Sequence, residues 1–169
     1  MKFVGTRWLT AALAATAIVA VASIASAQNA APPAKVDPAK AQAAVKDREA
    51  LMKSNSNEGK VLAAVAKGEA PLDAKAVAAA EKVNANAKVL LSKFPAGTSE
   101  EDVKGGYAKA AIWKEWDKFT GLADNFKKAT DELVVAAKSG DQKQFATKQA
   151  AVAQACGACH KPYRTPEKK

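Results

Sequence analysis

The residues best suited to chemistry are two cysteines and a histidine near the C-terminus, in the order Cys156-Gly157-Ala158-Cys159-His160. Two thiols three positions apart, with a histidine directly after the second, form the attachment pattern for c-type haem. On a helix, Cys156 and His160 lie one turn apart on one stripe, and Cys159 lies about 60° to the side. One helical face can therefore offer two sulfurs to the porphyrin vinyl groups and one imidazole to the iron.

Three other chemistries use the same residue types. A thioredoxin-like redox pair is typical of a βαβ unit, whereas this motif lies late in an alanine-rich chain. A structural zinc site needs four nitrogen or sulfur ligands, and the chain contains two Cys and one His. A disulfide between Cys156 and Cys159 would suit an oxidising compartment but gives His160 no role. Covalent haem attachment uses all three side chains and is therefore the prediction.

A methionine sulfur is the second candidate iron ligand. Met1 falls in a segment predicted to be cleaved, so Met52 is the only methionine of the mature chain, as His160 is its only histidine. Low-spin haem iron is usually held by His/His or Met/His, and here only the second pair is available. Met52 is therefore predicted to be an axial ligand. The alternative is that its side chain only fills the core, as flexible methionines often do.

Four stretches with helical periodicity are available to position these residues. They cover about 37–67, 73–94, 107–138 and the chain from Asp141 onward, and aspartates stand at three of their starts as N-caps. One long connection rich in Pro and Gly lies at 95–106, and no strand pattern competes with the helices. The chain is therefore predicted to be all-α, with the architecture of a four-helix bundle.

Some local features predict departures from regular helices. The polar stretch 54–59 has weak helix propensity, which predicts a kink or a break in the first helix. Thr98 and Glu101 have the spacing of a capping box for a single turn. Pro162 lacks an N–H and disfavours helix before it, so the last helix is expected to stop near His160.

Alanine occupies much of the inner stripe of these helices and leaves volume near the motif. A porphyrin would fill that volume. Burying several hundred Å² of macrocycle is worth on the order of 10 kcal/mol, at about 25 cal/mol per Å². The chain without haem is therefore predicted to be loosely folded.

The N-terminal segment has the features of a targeting signal. Lys2 and Arg7 precede an apolar run at 9–25, and residues 25–27 form an A-x-A cleavage site. A membrane anchor is the alternative, since the apolar run nearly reaches spanning length. Export to a bacterial periplasm, with no membrane attachment after cleavage, agrees with c-type haem. The predicted segments are a signal peptide at 1–27, a flexible leader at 28–36 and a haem-binding domain at 37–169.

The charge of the chain bears on its partners. The chain has 26 Lys and Arg against 17 Asp and Glu, and loss of Lys2 and Arg7 lowers the net charge from +9 to +7. Two haem propionates would lower it further, to about +5. An exported chain rarely meets nucleic acid, so the charge is interpreted as solubility and as steering toward redox partner proteins with acidic patches. Lysines scattered over solvated helix faces are equally consistent with it.

With these motifs in place, the chain resembles the class II cytochromes c, the cytochrome c′ family, over its whole mature length. The resemblance rests on the C-terminal CxxCH of an exported four-helix bundle, on Arg48-x-x-x-Met52, and on the closing run His-Lys-Pro-Tyr-Arg at 160–164. In that family, the residue four after the first-helix arginine faces the distal side of the iron. It is often Leu or Phe in the five-coordinate, high-spin members and Met in the low-spin branch. The run at 48–53, with the later run at 66–69, is most similar to the low-spin branch.

The resemblance implies a function without substrate chemistry, so no enzyme is predicted. The first hypothesis is a periplasmic electron carrier with haem c on Cys156 and Cys159. Its iron would be held by His160 and Met52. The second is a five-coordinate haem protein that binds nitric oxide or carbon monoxide at an open distal site, with Met52 as a steric gate. A haem-free bundle with a disulfide is the third.

Three basic side chains are candidates for contacts with the haem. Arg48 and Arg164, and also Lys53, are candidates to pair a haem propionate. For Arg48, a solvated surface position is equally consistent. Members of the family often form homodimers through the first two helices, and nothing in the sequence decides this.

Overall fold

A computed structural model describes residues 31–166 of the chain. This part of the chain contains five α-helices. The signal peptide predicted at 1–27 lies outside these residues. None of the helices in the described part of the chain is both long and apolar enough to cross a membrane. The helices are α1 Pro38–Ala66, α2 Ala74–Lys88, α3 Ala111–Lys114, α4 Trp116–Ser139 and α5 Gln142–Tyr163, with a 3-10 turn at Leu91–Lys93.

Local capping signals set the ends of the long helices, as predicted. The side chains of Asp37, Asp73 and Asp141 accept hydrogen bonds from backbone N–H groups two or three residues on, at 2.9–3.2 Å. These bonds satisfy donors that have no partner inside the first turn of a helix. At the end of α4, Gly140 has a φ of +73°, which glycine adopts without strain.

The four long helices form the predicted four-helix bundle. α4 packs along α5 and α2, and α1 packs along α2, whereas the contact between α1 and α5 is thinner. Apolar side chains from all four long helices and from the short α3 meet in one core. Its largest fully buried side chains include Leu62, Val65, Ile112, Leu133 and Phe145.

The predicted break in α1 is wrong, because one continuous helix runs through 54–59. The polar side chains there bond to α2 instead of interrupting α1. Asn86 Nδ2 donates to Ser54 Oγ at 3.1 Å and to Asn55 Oδ1 at 2.7 Å. Tertiary contacts of this kind outweigh the weak helix propensity of the stretch.

The predicted second and third helices are shorter than expected. α2 ends at Lys88, and Leu90 and Phe94 beyond it are buried in the core. The third helix is interrupted at Glu115, whose φ of −119° and ψ of 41° separate α3 from α4. The Glu115 carboxylate accepts a hydrogen bond from the hydroxyl of Tyr163. Tyr163 lies far along the chain, so local helix propensity cannot reveal this contact.

The capping box predicted at Thr98 and Glu101 is displaced by one residue. Asp102 Oδ2 accepts hydrogen bonds from the N–H and the O–H of Ser99, at 3.2 and 2.6 Å, and the Asp102 N–H donates to Ser99 Oγ at 3.2 Å. Thr98 itself is fully buried, and its Oγ1 accepts a hydrogen bond from Arg48. The connection before α3 is therefore fixed to α1.

The end of the predicted leader is also attached to this connection. The Val36 N–H donates to the Ala96 carbonyl at 3.1 Å, and Lys35 Nζ lies 3.8 Å from Asp102 Oδ1. Residues 28–30 of that leader lie outside the described part of the chain. The flexibility of the leader up to residue 36 stays a prediction, and Lys35 and Val36 at its end contact the connection.

The last helix does not stop near His160, and this expectation is also wrong. α5 continues to Tyr163 with Pro162 inside its last turn, and the Arg164 N–H still donates to the His160 carbonyl at 3.1 Å. A proline so close to a helix end removes a single hydrogen bond. The Lys109 N–H donates to the Tyr163 carbonyl at 3.0 Å, which holds this terminal turn against the long connection.

Candidate functional site

The three motif residues lie together on the final turns of α5. Cys156 and Cys159 are both partly buried free thiols, and Cys156 packs against the core. Burial raises the pKa of each thiol. His160 is exposed. Partial desolvation by the surrounding chain, and then the charge of Arg164, lower the pKa of His160 and favour the neutral form of its imidazole, the form that can bind a metal.

A cavity of about 260 Å³ opens beside Cys156, between the four long helices. Most of its wall is apolar, as sites for large flat cofactors usually are. It lies where α1 and α5 make their thinner contact. The two thiols and the imidazole of the motif fit covalent haem attachment, and the apolar wall suits contact with a porphyrin face. The wall is formed by Asn55, Gly59, Leu62, Val83, Phe126, Gln149, Val152, Ala153 and Cys156.

Met52 lies at the level of the motif, on the opposite helix. α1 and α5 run antiparallel, because Gln142 Nε2 at the start of α5 donates to the Val65 carbonyl near the end of α1 at 2.6 Å. Equal rise along both helices from that contact places Met52 level with Ala155, the neighbour of Cys156. The Met52 side chain is half-buried and packs against the core. A bond from its sulfur to iron stays a prediction.

Arg48 is buried, so the alternative of a solvated surface arginine is wrong. The residue is 6% exposed, and its guanidinium donates to Thr98 Oγ1 at 3.1 Å, to the Thr98 carbonyl at 2.9 Å and to the Lys93 carbonyl at 3.4 Å. It also lies over the Phe94 ring, 4.7 Å from the centroid. Burial lowers the pKa of Arg48 to about 10. Two of its five N–H groups remain for another acceptor, and the propionate contact stays a prediction.

The other predicted propionate contacts lie at the surface. Arg164 is exposed at the end of α5, with its guanidinium carbon 6.0 Å from the centroid of the Tyr107 ring. Lys53 is exposed on α1. The structure therefore brings Met52 toward the motif and leaves the roles of Arg164 and Lys53 as predictions.

Tyr163 is a contact of the motif helix that the sequence did not single out. Its ring packs edge-on against Phe119 at 5.6 Å, and its hydroxyl donates to Glu115 Oε2 at 3.0 Å. Burial, then this hydrogen bond, raise the pKa of Tyr163 to about 12. The same bond is the main cause that lowers the pKa of Glu115. A tyrosine three residues after His160, on the same side of the helix, was the available signal.

Tyr163→Phe should remove a contribution to the free energy of unfolding that is present near neutral pH and is lost in acid. Because the pKa of Glu115 is lower in the folded chain than in the unfolded chain, the bond contributes above the ordinary pKa and is lost as the pH falls through the folded value. Urea unfolding from about pH 6 to about pH 3 should therefore show the wild type and the variant converging. Tyr107→Phe is the control, and a gap that stays constant with pH would contradict the prediction.

Comparisons with known proteins identify the family of the chain. The family model described as Cytochrome C' matches residues 43–164. A cytochrome c-556 from Agrobacterium tumefaciens (strain B2A) is 39% identical over 122 residues, which are 71% of this chain and 95% of that protein. A cytochrome c' from Cereibacter sphaeroides is 39% identical over 141 residues, which are 80% of this chain and 91% of that protein.

Solved structures also match over most of the described chain. A carbon monoxide-bound variant of cytochrome c prime from Alcaligenes xylosoxidans has a TM-score of 0.67 and 27% identity. The match covers 78% of this chain and 99% of that one. Other variants of the Alcaligenes protein that are similar to this chain carry bound nitric oxide.

Proposed function

The chain belongs to the cytochrome c′ family, and on that premise we propose that it is an exported haem protein that binds nitric oxide or carbon monoxide on an open distal side. Haem c, attached covalently, is its cofactor. When bound, the haem supplies an iron that exchanges one electron or takes a small neutral gas as a ligand.

The CxxCH residues are proposed to hold this haem. Cys156 and Cys159 would form the two thioether bonds, and His160 would supply the proximal nitrogen. Their common helix face, and the position of Cys156 in the wall of the cavity, support this assignment. The lowered pKa of His160 also keeps a nitrogen lone pair available near neutral pH.

The observation that supports gas binding is the structural similarity to the Alcaligenes variants that hold carbon monoxide and nitric oxide. The wall of the cavity contributes Leu62, Val83, Phe126 and Val152, which exclude water and suit an uncharged diatomic molecule. In this account, Met52 stands on α1 as a steric gate. The order of the two main hypotheses from the sequence is therefore reversed.

An electron carrier with Met/His ligation is the second candidate. The observation in its favour is that Met52 is half-buried and level with the motif. A soft thioether favours ferrous iron and raises the reduction potential, which suits a carrier. The comparisons give the low-spin branch no support, so this candidate ranks second.

We extend the proposal to location and partners. The protein would act in the periplasm and meet partner proteins with acidic patches. Lys46, Lys53 and Lys60 recur every seven residues on the outer side of α1, where they are exposed. Within residues 31–166, none of the three forms an ion pair with an acidic side chain. A homodimer through the first two helices would have to accommodate this charge.

The optical spectrum of Met52→Ala tests the proposed function against the carrier. If Met52 is a gate, the wild-type protein has a high-spin ferric spectrum, and Met52→Ala keeps that spectrum but binds carbon monoxide faster. If instead the wild type is low-spin with a far-red sulfur-to-iron band, and Met52→Ala becomes high-spin, gas binding by the native protein is refuted. Ser56→Ala, at an exposed position one turn later in α1, is the matched control.

A further inference from the structure

Asn55 places a polar amide in an otherwise mainly apolar cavity. Asn86 Nδ2 donates to Asn55 Oδ1 at 2.7 Å and to Ser54 Oγ at 3.1 Å, so the oxygen side of the Asn55 amide is held by α2. An asparagine amide has two N–H donors besides its oxygen. None of the hydrogen bonds among the described residues uses the Asn55 Nδ2 group, and Asn55 lines the cavity.

The position of Asn55 on α1 decides what this donor can reach. Asn55 lies three residues after Met52, and therefore on the same side of α1. Cys156, which also lines the cavity, lies on α5 across from it. A ligand bound on the side of the iron away from His160 would therefore approach α1. Gln149 is the other amide of the wall, but it lies on α5, the helix that carries the motif.

We propose that Asn55 is a specificity-determining residue for the gas site, in which its Nδ2 donates a hydrogen bond to the outer oxygen of a bound diatomic molecule. This inference rests on the proposed function. Asn86 acts as a positioning residue, because it fixes the orientation of the Asn55 amide. An apolar surrounding strengthens such a bond, so the site would favour ligands whose outer atom carries partial negative charge.

The carbon monoxide stretching band of the ferrous protein measures this contact directly. A donor at the oxygen draws electron density toward it and weakens the carbon–oxygen bond. Asn55→Leu should therefore move the band to higher wavenumber. It should also release bound nitric oxide roughly two- to tenfold faster, as expected for the loss of one hydrogen bond. Asn86→Ala, which leaves Asn55 in place but unfixed, should broaden the band and shift it less.

Asn57→Leu is the matched control, since Asn57 is an exposed asparagine two residues on in α1 and faces away from the cavity. It should leave the band unchanged. The Asn55 comparison is also made in a Met52→Ala background, where the distal side is open whichever role Met52 has. Wild-type protein that refuses carbon monoxide would therefore refute the proposed function alone. An unchanged band, or a shift to lower wavenumber, in Asn55→Leu would overturn the present inference.

Discussion

Replacing Cys156 and Cys159 together by alanine is expected to abolish covalent haem attachment. Both thiols are free and lie on one face of α5, and one of them borders the cavity. Without either sulfur, haem could be held only through His160 and by contact with the cavity wall. Mass analysis under denaturing conditions should give the bare polypeptide for this variant and the polypeptide plus one haem for the wild type.

The same variant should lose much of its stability. Burying the macrocycle is worth on the order of 10 kcal/mol, and the apolar residues beside Cys156 would no longer be covered by a covalently held group. Thermal unfolding should occur at a lower temperature, and amide exchange should be faster in α1 and α5 around the cavity.

The control for this prediction is Ala158→Ser. Ala158 is exposed and lies between the two cysteines, so its change leaves both thiols and the spacing intact. It should keep covalent haem and wild-type stability. Haem that stays on the double cysteine variant through denaturation would contradict the attachment site.

The parts of the fold that the sequence could predict are those set by residues close together in the chain. Asp37, Asp73 and Asp141 cap helices through N–H groups two or three residues away, and Gly140 ends α4 through its own conformation. The CxxCH motif is equally local, because helix geometry alone puts its side chains on one face. Spacing in the sequence is sufficient for such features.

The incorrect predictions for the first and third helices concern contacts between residues far apart in the chain. The polar stretch 54–59 stays helical because Asn86, about thirty residues later, bonds to it. The helix predicted at 107–138 is interrupted at Glu115, whose side chain bonds to Tyr163 at the other end of the domain. Helix propensity is a weak prior against such contacts, so no local pattern could have revealed these features.

The role of Met52 shows the same limit within the site. Met52 is the only methionine of the sequence besides Met1, and α1 brings it level with the motif. Ligand and gate differ in whether the Met52 sulfur bonds the iron, which residue type and spacing do not determine. The Alcaligenes variants that hold carbon monoxide and nitric oxide therefore favour the gas-binding hypothesis, and the spectrum of Met52→Ala tests the choice between the two functions.

Arg48→Ala is expected to destabilise the folded protein by about 2–4 kcal/mol. The Arg48 guanidinium joins α1 to the connection through Thr98 and the Lys93 carbonyl, and it covers the Phe94 ring. Its removal leaves the Thr98 carbonyl without this donor and opens space beside the ring. Burial of the charge already costs free energy, as the lowered pKa of Arg48 shows, so the hydrogen bonds have to offset that cost.

Two further variants separate this effect from a simple loss of charge. Lys46→Ala removes one positive charge from an exposed position two residues earlier in α1, and it should change the free energy of unfolding by no more than about 0.5 kcal/mol. Arg48→Lys keeps the charge, but a single ammonium cannot reproduce the planar fork that bonds Thr98 and Lys93. It should therefore recover only part of the loss. Chemical denaturation of the haem-loaded proteins measures all three, and equal midpoints for Arg48→Ala and Lys46→Ala would show that the connection is held to α1 by other contacts.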